Sequence, residues 1–187
     1  MNAATVAASG DHVVAVPNSM SSRARPAPRE LGFAPVTSDD IARTILDAGT
    51  YVVLATADAD GAPWASPVWF AKEDYRQLFW VSHPGARHSQ NIAVRPQIAM
   101  VVFDSTVAPG TGQGLYMTAT AEQVTDPGAV EYGIGIVSRV SVRQGNEEFG
   151  LDRVTADARL RLYRASVREY SILDPDSPFD VRVEVSP

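Results

Sequence analysis

The sequence predicts a mainly β, α+β protein: an antiparallel β-barrel with peripheral helices. Strand-like runs of alternating apolar residues follow one another with mostly tight-turn signals between them, as in Leu115, Met117, Ala119 and Ala121. Helical periodicity appears at only a few of the connections. A doubly wound parallel sheet would need a helix after nearly every strand, and that alternation is absent.

Residues 1–35 are rich in Ala, Ser, Pro and Arg, and Pro17, Pro26, Pro28 and Pro35 interrupt any helix. They read as a flexible N-terminal tail, with a docking arm as the other reading, which leaves residues 36–187 as the folded domain. The first helix opens with Ser38 as N-cap, Asp39 and Asp40 in the positive first turn, and Gly49 at the C′ position. Ile41 and Ile45 share one of its faces. Tyr51–Thr56 is the first strand, and Asp60-Gly61 is a hairpin turn. The return strand runs from Pro63 to Lys72. Its Ser66-Pro67-Val68-Trp69 segment implies an edge strand or a bulge, because proline cannot donate to a ladder. Glu73-Asp74 marks the next turn and Leu78–Ser82 the third strand.

A short helix near Arg87–Val94 leads to a strand at Ile98–Asp104. Pro109, Gly110, Gly112 and Gly114 form a flexible loop before the strand Leu115–Val124. Asp126-Pro127 opens a helix with the stripe Val130, Ile134 and Val137, weakened by Gly133 and Gly135. Residues 141–156 are polar and irregular. Arg161–Leu173 is a long strand, and Val181, Val183 and Val185 alternate in a last one.

Composition narrows the function. At 187 residues, 45% hydrophobic and 20% charged, one globular domain is expected. Sixteen basic against 22 acidic residues give a net charge of -6, which argues against nucleic-acid or anionic-membrane binding. The chain lacks cysteine, which excludes disulfides, thiolate metal sites and cysteine nucleophiles. His12, His83 and His88 are the only histidines, none in metal-ligand spacing, so no metal is expected. No apolar run approaches the roughly 20 residues that span a bilayer. The start lacks a secretory pattern, so the cytoplasm is the simplest compartment.

Leu78 to Phe103 carries the strongest functional signal. Two β-like runs enclose a helix that opens with Ser82, Gly85, Arg87 and His88. Unpaired N–H groups and the positive end of the dipole make such a helix start a phosphate site. A phosphate monoester carries about -1.5 to -2 charges at neutrality. Arg87 supplies one positive charge and the helix end about half of one. A charged His88 would supply the rest, its pKa raised by the dianion. On that expectation binding of the phosphorylated ligand weakens as pH rises. The plainer reading is that Arg87 and His88 coat a solvated helix face. Ser66 to Trp69 offers backbone groups and an indole face to a planar ligand, or simply a core Trp beside an edge Pro. Gln113, in the glycine loop, either reaches a ligand or belongs to a plain connection; no Walker pattern follows it. No hydrolytic triad is visible, and the carboxylates are scattered.

These residues resemble the pyridoxamine 5′-phosphate oxidase-like, FMN-binding split barrels. The resemblance rests on Leu54-Ala55-Thr56, Asp60-Gly61-Ala62-Pro63, Ser66-Pro67-Val68-Trp69-Phe70, Leu78-Phe79-Trp80-Val81-Ser82, Arg87-His88, Asn91, Arg95-Pro96 and Tyr116. It implies a six-stranded split barrel and a homodimer with the cofactor at the subunit interface. It also implies that Ser66, Pro67, Val68 and Trp69 lie along the isoalloxazine, and that Ser82, Arg87 and His88 hold the phosphate. Gln113 would reach the flavin from the partner. Ala86-Arg87-His88 departs from the Ser-Arg-Lys of many members, and the Arg-x-His substrate signature of the vitamin B6 enzymes is missing from the C-terminal strand. The implied activity is therefore an FMN-dependent oxidoreductase acting on a small molecule, not the vitamin B6 enzyme itself. An F420-dependent reductase of the same fold, or a non-catalytic flavin or haem binder, is the alternative.

Overall fold

The computed structural model describes residues 36–187, so the expected tail lies outside the described residues. Helix α1 spans Ser38–Ala48. Its N-cap is Thr37 rather than Ser38: the Thr37 hydroxyl accepts from the Asp40 N–H, and the Asp40 carboxylate accepts from the Thr37 N–H at 3.0 Å. That reciprocal pair is a capping box, and it places the acidic residue in the helix's first turn. Gly49 closes the helix with extended backbone, φ -66°, not in the left-handed region that a C′ glycine usually occupies. Space, not backbone freedom, demands glycine here. A Cβ at Gly49 would lie 2.5 Å from Val102 Cγ1.

Among the described residues, eight strands then form one antiparallel sheet. β1 is Tyr51–Ala57, β2 Pro63–Trp69, β3 Ala71–Lys72 and β4 Gln77–Ser82. Helix α2, Arg87–Val94, precedes β5, Gln97–Phe103, and β6, Gly114–Gln123. Helix α3, Pro127–Arg143, and a 3₁₀ turn at Leu151–Arg153 precede β7, Arg161–Leu173, and β8, Arg182–Val185. The spatial order is β2-β1-β5-β6-β7-β4-β3, with β8 added to β7. The split barrel expected from the sequence is present, but with eight strands rather than six. The return strand breaks at Phe70 into β2 and β3.

β7 is long because it serves two neighbours on one edge. Arg161–Ser166 pair with β4, and Tyr170–Leu173 with β8, while β6 lies along the other edge. The β6–β7 register shifts at Thr118/Ala119, leaving Arg168 as the extra residue of a bulge. Pro67 sits in unbroken register opposite Val53. Edge position, not a bulge, accommodates it.

Period-two patterning explains the core. Val52, Leu54, Ile98, Met100, Leu115 and Met117 face inward under α1. β4 is buried on both faces, which accounts for its continuous Leu-Phe-Trp-Val run. Leu78 and Trp80 enter the barrel, while Phe79 and Val81 meet α3. Gly133 lets α3 approach closely, since a Cβ there would lie 2.6 Å from Leu162 Cδ2. β2 and β3, the two ends of the sheet order, do not pair, and α2 packs against β1, β2 and β6.

Candidate functional site

The site is built where β2 and β4 part, the return strand pairing with β4 only through β3. Ser66 stands on β2 and Ser82 ends β4, strands that are not hydrogen-bonded to each other. His88, in the first turn of α2, spans them: its Nε2 lies 2.8 Å from Ser82 Oγ and its Nδ1 3.2 Å from Ser66 Oγ. Ser66 Oγ also accepts from Trp64 Nε1 at 3.0 Å. Ser66 therefore donates its own proton most economically to His88 Nδ1. The Nε2 proton then goes to Ser82, leaving the Ser82 hydroxyl hydrogen for the cleft that Ser82 lines.

Burial holds the His88 pKa below the ordinary histidine value, because desolvation disfavours the charged ring. The charged His88 expected from the sequence is the ring beside a phosphate dianion, a different electrostatic environment. In the protein's own environment the imidazole is neutral at pH 7 and acts as a bridge rather than as a cation.

Helix α2 starts without a side-chain cap, at Ala86. The buried Ser89 hydroxyl in the same turn has no hydrogen-bond partner among the described residues. A helix start with open N–H groups suits an anion. The rest of α2 is fastened down. Asn91 Nδ2 donates to Thr56 Oγ1 at 2.9 Å, and Arg95 donates to the carbonyls of Asp58 and Ala59 in the β1–β2 turn. His83 closes the approach to α2, its Nδ1 accepting from the Gly85 N–H.

A cleft of about 510 Å³ opens beside this bridge, lined by Pro67, Val68 and Trp69 of β2, by Ser82 and by His88. These expected site residues come together. Ser66 lies behind them, in contact with His88. Arg87 and Gln113 are not among the cleft's lining. Arg87 is half exposed, stands 4.9 Å over the Trp64 ring and pairs with Asp58 at 3.4 Å. Gln113 precedes β6 with its Oε1 buried and unpartnered.

The opposite wall was not foreseen. It comes from Val137 and Ser141 of α3 and from the polar stretch after it, which brings Phe149 and Arg153 to the cleft. Trp69 Nε1 donates to Gln144 Oε1 at 2.7 Å, and the Phe149 N–H donates to Ser138 Oγ. Val137 belongs to the stripe expected of α3, but no periodicity marks Gln144, Phe149 or Arg153, so only the fold reveals them.

The family model for pyridoxamine 5′-phosphate oxidase matches residues 38–169. The chain belongs to this family. That match spans the open edges, α2 and both walls of the cleft, and it agrees with the resemblance read from the sequence. No curated protein matches the chain. Among solved structures, the family member is similar to HutZ, the haem storage protein from Vibrio cholerae, with 22% identity and a TM-score of 0.56 over 70% of this chain and 90% of that one. A haem binding protein from Mycobacterium smegmatis shares 14% identity with a TM-score of 0.59, covering 79% of this chain and 58% of that one. An F420 reductase shares 24% identity with a TM-score of 0.50, over 69% and 94%. At these identities the likenesses concern the fold.

Among the described residues no group of His, Asp and Glu is arranged to hold a metal ion, and no helix is long and apolar enough to cross a membrane.

Proposed function

We propose that the protein binds FMN in this cleft and acts as a cytoplasmic, FMN-dependent oxidoreductase on a small molecule. One observation carries the reading. The flat wall Pro67-Val68-Trp69 adjoins the Ser82 hydroxyl and the uncapped start of α2, so an apolar plane and an anion site share one opening. A volume near 510 Å³ lies within the range of small-molecule sites, roughly 300–1,000 Å³.

Val68 and Trp69 would line the ring system and exclude water from it. The first-turn N–H groups of α2, with Ser82, would hold the phosphate. The ties of Arg87 to Asp58 and to the Trp64 ring are solvent-exposed and worth about 1 kcal/mol or less each, so a phosphate competes for its guanidinium. Hydride exchange with the small molecule is the chemistry the flavin supplies when bound.

A homodimer is part of the same reading. The outer face of the sheet is apolar at Val53, Ala55, Ala99, Val101 and Tyr116, and Tyr51 and Phe103 are more than half exposed beside it. A second copy is the partner that suits it, since the orphaned Gln113 carboxamide at the start of β6 then gains a cross-subunit role.

Haem and F420, named for fold relatives, are the competing ligands. Against haem, both His88 nitrogens are already engaged by serines. Mass spectrometry of the chromophore released from gently purified protein tests the reading. FMN, with bleaching on addition of a reduced nicotinamide, is the expected result. Haem or F420 in its place would overturn it.

A further inference from the structure

Arg153 is a cation that neither the fold nor the proposed flavin site accounts for. It ends the 3₁₀ turn after α3, on the wall facing β2 and β4, and it lines the cleft. It makes no ion pair with a carboxylate among the described residues. Its guanidinium instead lies 4.1 Å from the centre of the Phe149 ring. Stacking engages the face of a guanidinium and leaves its in-plane N–H donors free, directed at whatever lies along its edge.

The backbone that carries Arg153 is held from both sides. Phe149 is anchored by Ser138, and Val154, next to Arg153, is buried in the α3 core cluster with its N–H bonded to Leu151 O. No carboxylate lines the cleft, although the chain carries a net charge of -6. A cation stacked on Phe149, with unused donors in a cleft whose lining holds no carboxylate, favours negative charge.

We propose that Arg153 is a specificity-determining residue: it recognises the carboxylate or phosphate of an anionic, planar substrate entering between Trp69 and Phe149. This rests on the reading above that the cleft is the redox site. The cofactor's own phosphate is the other source of such an anion. It is assigned to α2 and Ser82 on the far wall, and Arg153 comes from a different element.

The full-length chain, with and without FMN, is titrated calorimetrically with benzoate and with its neutral isostere benzamide. The measurements are repeated on Arg153→Ala and Arg153→Lys, and FMN affinity is measured for all three proteins. The wild type is expected to bind benzoate at least tenfold more tightly than benzamide. Arg153→Ala should abolish that preference, Arg153→Lys should restore part of it, and FMN affinity should stay within about twofold throughout. Equal binding of benzoate and benzamide by the wild type, or an unchanged preference in Arg153→Ala, overturns the proposal. A tenfold loss of FMN affinity in Arg153→Ala, with the benzoate preference intact, also overturns it, by assigning the residue to the cofactor's phosphate. If the wild type fails to bind FMN yet loses its benzoate preference on Arg153→Ala, the flavin reading falls and the anion site stands.

Discussion

His88 Nε2 lies 2.8 Å from Ser82 Oγ, joining helix α2 to the end of β4 where β4 shares no ladder with β2. With Ser66 on the second ring nitrogen, the imidazole does at the split what ladder hydrogen bonds do elsewhere in the barrel. It also orients the serine that lines the cleft. Under the proposed function, stability and ligand binding are therefore coupled through one side chain.

Replacing His88 with Ala should cost about 2 kcal/mol of folding stability, from two lost hydrogen bonds and a partly filled cavity. FMN binding should weaken in the same variant because the Ser82 hydroxyl loses its orientation. Urea denaturation and fluorescence titration measure the two effects. A variant as stable as the wild type would remove the bridge from the account.

The pH dependence of stability follows from the lowered His88 pKa. The unfolded chain takes up a proton near pH 6.5, while the folded ring resists it. The contribution is fully present above pH 6.5 and is lost as pH falls toward the folded value, by up to about 1.4 kcal/mol per pH unit. Chemical denaturation at pH 7.5 and 5.5 should therefore show a larger loss for the wild type than for His88→Gln. Identical losses would mean that the imidazole is not held neutral.

Gly49→Ala puts a methyl 2.5 Å from Val102 Cγ1, although the backbone angles would accept alanine. The clash should destabilise by about 1–3 kcal/mol, against the usual gain of glycine-to-alanine replacement. A thermal melt decides the sign, and a raised Tm would contradict the packing described here.

Trp69→Phe keeps an aromatic wall but deletes the 2.7 Å bond to Gln144. The stretch from Gln144 to Arg153 should then exchange amide hydrogens faster, with the rest of the sheet unchanged. Unaltered exchange in that stretch would show that Phe149 and Val154 suffice to hold it.

Much of this was legible in the sequence because it is local. Helix α2 was expected near Arg87–Val94 and lies there, since strand-like runs and Pro96 bracket it. The proline of β2 pointed to an edge, and the edge is where the cleft opens. Ser82 and His88 were recognisable as a pair because a strand end and a helix start bring them together at short sequence separation. Other features depend on long-range packing. Gly49 looked like a helix terminator, but its reason is Val102, on β5. The burial that lowers the His88 pKa could not be read without knowing that the ring is enclosed. Phe149 and Arg153 lie in a stretch with no period, tied to the barrel by a bond 75 residues long in sequence, from Trp69 to Gln144. The pairing of Arg87 with Asp58, a residue of the turn after β1, likewise joins residues 29 positions apart and has no sequence signal.

The most direct measurement compares FMN with riboflavin, which has the same ring system and no phosphate, in equilibrium titrations of the full-length protein. A site built from an apolar wall and the open start of α2 should bind FMN at least a hundredfold more tightly, a gap that shrinks in Ser82→Ala. Equal affinities for the two, or no binding of either, would contradict it.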